Sequence, residues 1–174
     1  MTAQGPAGLS ATQRKLATAL RLPLFVWLWL PPATMAMAMA SLAIRCVPFR
    51  RLAQGFGQDV GAGAVEQSAG RRRSERALLI RQIITTVGGN APFRSDCFPQ
   101  ALVAILLCRI YRLPYALYFG VALTGEQGDG ARDLKAHAWV MSGEVAVSGG
   151  RTSFRKFRTL ACYIGPGLSA RPAS

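Results

Sequence analysis

The spacing of apolar positions predicts two neighbouring helices in the middle of the chain. Between residues 71 and 89, apolar side chains recur three and four positions apart, which is typical of a helix that buries one stripe. The stripe consists of Ala77, Ile80, Ile83, Ile84 and Val87, followed by the stop signal Gly88-Gly89. Several arginines lie off the stripe, where we expect a solvated face or, alternatively, a docking surface for an acidic peptide. These are Arg72, Arg73, Arg76 and Arg81.

The second helix is predicted to lie inside the core. Residues 101–110 are apolar on nearly every side, as in a helix that other elements enclose. Ser95 or Asp96 can cap its start, and Pro99 suits its first turn. Cys97 is therefore expected at the amino-terminal end of a buried helix.

Short strands are predicted after this helix. Residues 114–123 are rich in aromatic and β-branched side chains, and a polar loop at 124–135 follows them. Further strands are predicted at 136–141, 144–148 and 157–164. Ser142-Gly143 between two of them is a hairpin signal. A buried helix followed by an antiparallel sheet indicates an α+β fold.

The amino-terminal apolar segment has three interpretations. Residues 22–44 carry no charge and are long enough to span a membrane, and the basic residues before them also suit a cleaved signal peptide. Pro31-Pro32 lies in the middle, and the residue before a proline disfavours the α conformation. We therefore expect two packed helices of a helical subdomain, with membrane association or insertion and a cleaved signal as the alternatives.

Composition divides the chain into three predicted parts. Residues 55–70 are polar and rich in glycine, alanine and serine, so we expect a flexible connector there. The predicted domains are an amino-terminal helical subdomain with its linker at 1–70 and a second module at 71–165. The tail at 166–174 is expected to be disordered.

The charge of the chain is strongly lopsided. Lys and Arg number 21 against eight Asp and Glu, a net charge of +13. Such a balance indicates an anionic partner, which is a nucleic acid, a membrane surface or an acidic peptide. No aromatic-interleaved motif of the RNA-binding kind occurs in the sequence, so we do not expect nucleic acid.

The residues that can carry chemistry near neutral pH are few. His137 is the only histidine and hence the candidate base, and the cysteines Cys46, Cys97, Cys108 and Cys162 include no CxxC pair, so no zinc site is expected. On one helix, Cys97 and Cys108 would lie about 16 Å apart, too far for a disulfide. We therefore expect reduced thiols in the cytoplasm. Apart from Cys97, the cysteines are expected to be small buried hydrophobes.

Cys97 differs from the other cysteines because the start of a helix favours a thiolate. With His137 on a central strand packed over that helix, the two residues would form a thiol–imidazole pair for acyl transfer. The thiolate would attack a carbonyl, His137 would protonate the leaving amine and then activate water, and backbone N–H groups at the helix start would hold the oxyanion. A structural histidine on a strand is the alternative.

Four motifs resemble a known family. "CFPQA" at Cys97–Ala101, Gly120-Val121, "HAWV" at His137–Val140 and "IRCVPFRRLAQ" at Ile44–Gln54 occur in the order found in the leader peptidases of lasso-peptide maturation. These peptidases, the microcin-processing B protein family, belong to the papain/transglutaminase-like cysteine enzymes. The resemblance covers roughly residues 20 to 160 and implies a papain/transglutaminase-like peptidase domain at 71–165.

The resemblance also implies a function and partners. The protein would remove the leader from a ribosomally synthesised precursor peptide in antibiotic biosynthesis, with Cys97 as nucleophile and His137 as general base. Its partners would be the precursor peptide, a small leader-recognition protein and an asparagine-synthetase-like cyclase. No cofactor site is expected in this chain, so any ATP requirement would belong to a partner.

One departure from the family concerns the acid that orients the histidine. The family usually has an aspartate about twelve residues after the histidine, and Gly149 stands at that position here. In a two-residue hairpin through Ser142-Gly143, Ser148 would face His137. A turn one residue later would place Gly150 there instead.

The nearby acidic residues are poor substitutes for the missing aspartate. Glu144 lies at the turn, roughly 20 Å or more along the strand from His137. Asp133 and Asp96 could approach only through loop geometry. The third role therefore falls to Ser148, a backbone carbonyl or water, with Asp133 as a further candidate, and an inactive protein is the remaining alternative.

Two other functions fit the same sequence. A transglutaminase-like amide transferase or amidase would keep the pair and change the reaction. A non-catalytic, basic, membrane-associated adaptor would use the charge and residues 22–44 instead. We expect a cytoplasmic protein, with peripheral membrane association as the alternative.

Overall fold

The structure, a computed structural model, describes residues 23–62, 65, 70–90, 96–126, 132–150, 152–166 and 168, and for residues 124–126, 132 and 133 the backbone alone. The helices in these ranges are α1 (Leu24–Cys46), α2 (Phe49–Ala53), α3 (Arg71–Asn90), α4 (Cys97–Ile110) and α5 (Ser153–Lys156). The strands are β1 (Gln58–Asp59), β2 (Ala116–Glu126), β3 (Arg132–Ser142), β4 (Val145–Ser148) and β5 (Arg158–Ile164).

The strands form one five-stranded sheet in the order β1-β5-β2-β3-β4. Every neighbouring pair is antiparallel. The long pair β2–β3 lies at the centre and places Gly120 opposite His137. Helices and an antiparallel sheet in this arrangement confirm the predicted α+β fold.

The two faces of the sheet pack against different parts of the chain. On one face, α4 and α3 cover side chains such as Ala138, Val140 and Val147 in the main hydrophobic cluster. On the other face, Trp139 packs with Tyr118, Cys162 and other residues in a second cluster. Side chains alternate between the faces of a strand, so His137 shares the face of Trp139, away from Ala138.

The predicted buried stripe of α3 is confirmed. Ala77, Ile80, Ile83, Ile84 and Val87 are the buried residues of this helix. The arginines that were predicted to lie off the stripe at positions 72, 73 and 76 are exposed. The predicted stop at Gly88-Gly89 is wrong, because the helix continues through both glycines to Asn90. Nδ2 of Asn90 donates to the carbonyl of Thr86 at 2.7 Å in this last turn.

The prediction that Pro31-Pro32 splits the amino-terminal segment into two helices is wrong. Both prolines lie inside the continuous helix α1, with their rings exposed. The opposite side of α1 packs against α3 and α4, and this burial outweighs the two backbone hydrogen bonds that the prolines cannot make. Thr34 adds a side-chain hydrogen bond of 2.8 Å to the carbonyl of Leu30, in the turn that contains the prolines.

The predicted connector at 55–70 is ordered in its first part. Phe56 is only 2 % exposed, and Gln58 and Asp59 form β1 on the edge of the sheet beside β5. Residues 63, 64 and 66–69 of the connector, and most of the predicted disordered tail, lie outside the described residues. The division into domains at residue 70 stays a prediction, although α1 shares the main hydrophobic cluster with α3 and α4.

The buried thiol of Cys108 predicts a fall in stability at alkaline pH. Burial raises the pKa of this thiol from its ordinary value of 9.0 to about 12. Between these values the unfolded chain releases the proton while the folded chain retains it, so the free energy of unfolding falls as pH rises, by up to about 1.4 kcal/mol per pH unit. Well below pH 9.0 the thiol is neutral in both states and its contribution is constant.

Urea unfolding at about pH 8 and about pH 10 checks this expectation. The Cys108→Ala variant should lose less stability between the two pH values than the parent protein. The Cys46→Ala variant, whose cysteine is exposed, should lose as much as the parent. An identical loss of stability in all three proteins would contradict the attribution of the alkaline loss to Cys108.

Candidate functional site

Cys97 is the first residue of α4, as the sequence predicts. Asp96 precedes it as the N-cap residue, but its side chain makes no capping hydrogen bond. Among the described residues, no side chain caps the backbone N–H groups of Cys97 and Phe98, and Pro99 has no N–H group. Uncapped amides at a helix start can donate to a negatively charged oxygen, which is the property that an oxyanion site requires.

A cluster of aromatic rings lies beside Cys97. Phe98 lies 5.5 Å from Phe119 and 6.0 Å from both Phe49 and Phe56, measured between ring centroids. Phe49 is 50 % exposed, so the cluster reaches the protein surface. An apolar surface next to the half-buried thiol is suited to the side chain of a bound peptide.

The ring of His137 is fixed by two aromatic neighbours on the other face of the sheet. It stacks on Phe157 at 4.6 Å and on Trp139 at 5.9 Å. Gly120, directly opposite on β2, has no side chain, and a Cβ there would lie 2.8 Å from the Trp139 ring. The glycine therefore gives the indole the space from which it supports the imidazole.

The hydrogen-bond partner of His137 is a backbone carbonyl. Nε2 lies 3.1 Å from the carbonyl oxygen of Gly149, twelve residues later. The same carbonyl accepts a hydrogen bond of 2.6 Å from Oγ of Ser153. Gly149 thus stands at the position where the sequence resemblance predicts an aspartate, and it offers its main-chain oxygen.

Ser148 has a different partner. Ser142 pairs with Val145, so the turn lies one residue later than Ser142-Gly143, and the register shifts again between Val140 and Met141. These two changes put Ser148 opposite Val140, whose N–H donates to Oγ of Ser148 at 3.2 Å. The residue after Ser148 is the one that reaches the imidazole.

The backbone at Gly149 requires glycine. Its φ is +78°, a conformation that side chains disfavour. An added Cβ would collide with Trp139 and lie 3.0 Å from Nε2 of His137. An aspartate at this position would therefore need a different backbone path.

The acidic residues occupy other places. Asp96 is exposed at the start of α4, and Glu144 is exposed in the hairpin turn, seven residues along the chain from His137. The side chain of Asp133 lies outside the described part of the structure. Among the described residues, no group of three or more His, Cys, Asp or Glu side chains is placed to hold a metal ion.

The thiol and the imidazole lie on elements that pack against each other, α4 and β3. Cys97 contacts the main hydrophobic cluster, whereas the ring of His137 contacts Phe157 and Trp139 on the other face. Within the described ranges, no hydrogen bond joins Sγ of Cys97 to the imidazole. The contact between the two side chains stays a prediction, and it requires a movement of the imidazole or of the start of α4.

The other cysteines do not share the position of Cys97. Cys108 and Cys162 are buried, as predicted, and burial also raises the pKa of the Cys162 thiol to about 11. Cys46 is exposed at the end of α1, so its predicted burial is wrong. Cys46 is the last residue of α1, beyond the part of the helix that packs against α3 and α4. The composition of the segment does not predict where this packing ends.

Sequence reasoning missed Phe157 and Ser153 as parts of the site. Both lie in or beside the short helix α5, about twenty residues beyond His137, and no motif marks them. Ser153 is only 2 % exposed. Its buried hydroxyl is satisfied because it donates to the carbonyls of Gly149 and Gly150.

Comparison with known proteins gives one match. A family model described as the transglutaminase-like superfamily matches residues 43–162, more than half of the chain. The matched region contains Cys97, His137 and Gly149. No curated protein and no solved structure matches the sequence.

Proposed function

The chain belongs to the transglutaminase-like superfamily, and from this membership we propose that Cys97 and His137 carry out cysteine-dependent acyl chemistry. Members of the superfamily are typically cysteine peptidases or transferases. The observation that carries the assignment is the hydrogen bond of 3.1 Å between Nε2 of His137 and the Gly149 carbonyl. It supports a catalytic histidine because it sets the proton on one nitrogen.

A carbonyl oxygen can only accept a hydrogen bond, so Nε2 of His137 must carry the proton. In the neutral imidazole, Nδ1 then has a free lone pair, which can take a proton from a thiol. The rings of Phe157 and Trp139 stack on the imidazole in this orientation, so transfer of a proton from Cys97 requires the imidazole or the start of α4 to move. Gly149 in this way performs the orienting part of the role that an aspartate has in related enzymes.

The proposed reaction has two steps. The thiol of Cys97 gives its proton to Nδ1 of His137, and the thiolate attacks a peptide carbonyl, with the amides of Cys97 and Phe98 donating to the oxyanion. The imidazolium returns the proton to the leaving amine, and a thioester forms. Water then loses a proton to Nδ1 and attacks the thioester, which releases the acid and restores the thiol.

We propose that the substrate is a lasso-peptide precursor, from which the protein removes the leader. The four ordered motifs support this substrate, and the aromatic cluster beside Cys97 is suited to an apolar side chain of the peptide. The small recognition protein would deliver the leader, and the asparagine-synthetase-like cyclase would consume the released core with ATP.

Mass spectrometry of the reaction products tests this function. The protein is incubated with the precursor peptide, the recognition protein and an excess of a primary amine. Leader removal by hydrolysis yields two fragments whose masses sum to the precursor plus one water. A product that carries the amine in place of water would show transferase activity instead, and an unchanged precursor would contradict both.

The hydroxyl of Ser153 positions the Gly149 carbonyl, which in turn orients the general base His137. We therefore expect Ser153→Ala to lower kcat about tenfold, with little change in KM. Ser142→Ala is the matched control, since Ser142 is equally buried and its Oγ has no partner among the described atoms. Steady-state kinetics over a range of pH give the readout. Equal kcat values and pH profiles for both variants would show that Ser153 does not act through the carbonyl.

A further inference from the structure

Helix α1 presents a continuous apolar stripe to the surface. Its members are Leu24, Leu28, Met35, Met39 and Leu42, which are 85, 73, 66, 65 and 61 % exposed. The positions follow each other at helical spacing along the entire length of α1. Large side chains this exposed on one line are unusual for a surface that faces water alone.

The opposite side of α1 is held by the fold. Val26, Ala33 and Met37 are at most 1 % exposed and belong to the main hydrophobic cluster, against α3 and α4. The helix is long and apolar enough to cross a membrane by length and composition. A crossing, however, would pull these three side chains out of the core, so the packed position leaves only the stripe for another surface.

The charge around the stripe indicates what that surface is. Residues 1–58 contain no Asp or Glu, whereas Arg45, Arg50 and Arg51 are exposed at the carboxyl end of the stripe. Further basic residues, Arg14, Lys15 and Arg21, precede the helix in sequence. A second copy of the chain would bring two such basic surfaces together, with a net charge of +13 on each, and is therefore disfavoured.

We propose that the apolar stripe of α1 lies in the plane of an anionic lipid bilayer, with the arginines at the phosphate groups. Apolar side chains enter the boundary between headgroups and acyl chains, while basic residues attract the anionic lipids. Trp27, which is 46 % exposed near the start of the stripe, suits the same interface. This proposal is independent of the proposed catalytic function.

Vesicle flotation with the full chain tests the proposal. We expect the protein to float with vesicles of phosphatidylcholine mixed with phosphatidylglycerol, and to bind vesicles of phosphatidylcholine alone much more weakly. Replacing Arg45, Arg50 and Arg51 with Gln should weaken binding to the mixed vesicles on the order of a hundredfold, at roughly fivefold per arginine. The control that removes the same charge, with Gln at Arg72, Arg73 and Arg76 of α3, should weaken it far less.

The apolar stripe has its own matched control. The variant Leu28→Gln/Met35→Gln/Met39→Gln should lower binding on the order of a hundredfold. The variant Leu123→Gln/Leu134→Gln/Leu160→Gln changes three leucines of comparable exposure on the sheet and should bind as the parent does. Circular dichroism checks that each variant is folded.

Several results would overturn the proposal. Equal binding to neutral and anionic vesicles would remove the role of the arginines, and no binding to either would remove the membrane altogether. Retention in the membrane after washing with alkaline carbonate would indicate a spanning helix. A concentration-dependent dimer that the stripe variant abolishes would assign the stripe to a second copy of the chain.

Discussion

Replacing Cys97 with alanine is expected to abolish cleavage of the precursor peptide, with a loss on the order of 10⁴-fold or more. The variant removes the sulfur that forms the thioester, and no other thiol can replace it. Cys108 and Cys162 are buried, and Cys46 lies at the end of α1, not at the start of α4. The rate of leader removal, followed by mass spectrometry with the recognition protein present, measures the effect.

The controls separate chemistry from folding. Cys97 is half-buried and small, so the free energy of unfolding of the alanine variant should lie within about 1 kcal/mol of the parent value. Cys46→Ala, at an exposed position, should cleave at the parent rate. Persistent cleavage by a folded Cys97→Ala protein would rule out the proposed nucleophile.

Replacing His137 with alanine is expected to lower cleavage on the order of 10³-fold or more, because the thiol loses its proton acceptor and the leaving amine loses its proton donor. The residual rate should increase with pH, since hydroxide then supplies the thiolate directly. Lys135→Ala is the matched control, an exposed residue two positions earlier on β3. Its kinetics should equal those of the parent.

A structural histidine would behave differently. His137 stacks on both Phe157 and Trp139, so its removal will cost some stability in either case. If its role were only to fill that space, His137→Phe would recover the rate as well as the stability. We expect His137→Phe to recover stability alone, and recovery of cleavage would be incompatible with a general base.

The elements of this fold follow from sequence where a local pattern and the tertiary packing agree. The stripe of α3 and the all-round apolar surface of α4 appear in the spacing of their residues, and the structure buries them accordingly. The continuity of α1 could not be predicted in the same way. Local backbone preferences at Pro31-Pro32 predict a break, whereas the packing of the buried residues Val26 and Met37 stabilises one continuous helix.

The candidate site shows the same limit at the level of single residues. Cys97 and His137 stand out because few residues of their kind exist and because of the motifs around them. The acceptor for His137 depends on a turn one residue later than its sequence signal and on a second register shift near Val140. A shift of one residue moves every side chain of a strand to the opposite face. The sequence alone therefore cannot predict whether Ser148 or Gly149 reaches the imidazole.

The packing around the imidazole could not be predicted for a different reason. Phe157 contacts His137 from a segment twenty residues away, and the intervening chain includes the positive-φ residues Gly149 and Gly150. Contacts of this kind depend on how several loops meet, and they leave no periodic signal in the sequence.

The rate of cysteine alkylation tests the thiol–imidazole pair most directly. Exposed Cys46 serves as an internal reference for an ordinary thiol, and the two buried cysteines serve as protected ones. Iodoacetamide is applied to the folded protein at about pH 6 and about pH 8, and peptide mass spectrometry gives the rate at each cysteine.

We expect Cys97 to react faster than Cys46 at the lower pH, on the order of tenfold or more, because the imidazole takes the proton of its thiol. In His137→Phe this advantage should disappear while the Cys46 rate stays the same. Equal rates at Cys97 and Cys46 in the parent protein, unchanged in His137→Phe, would contradict the pairing of Cys97 with His137.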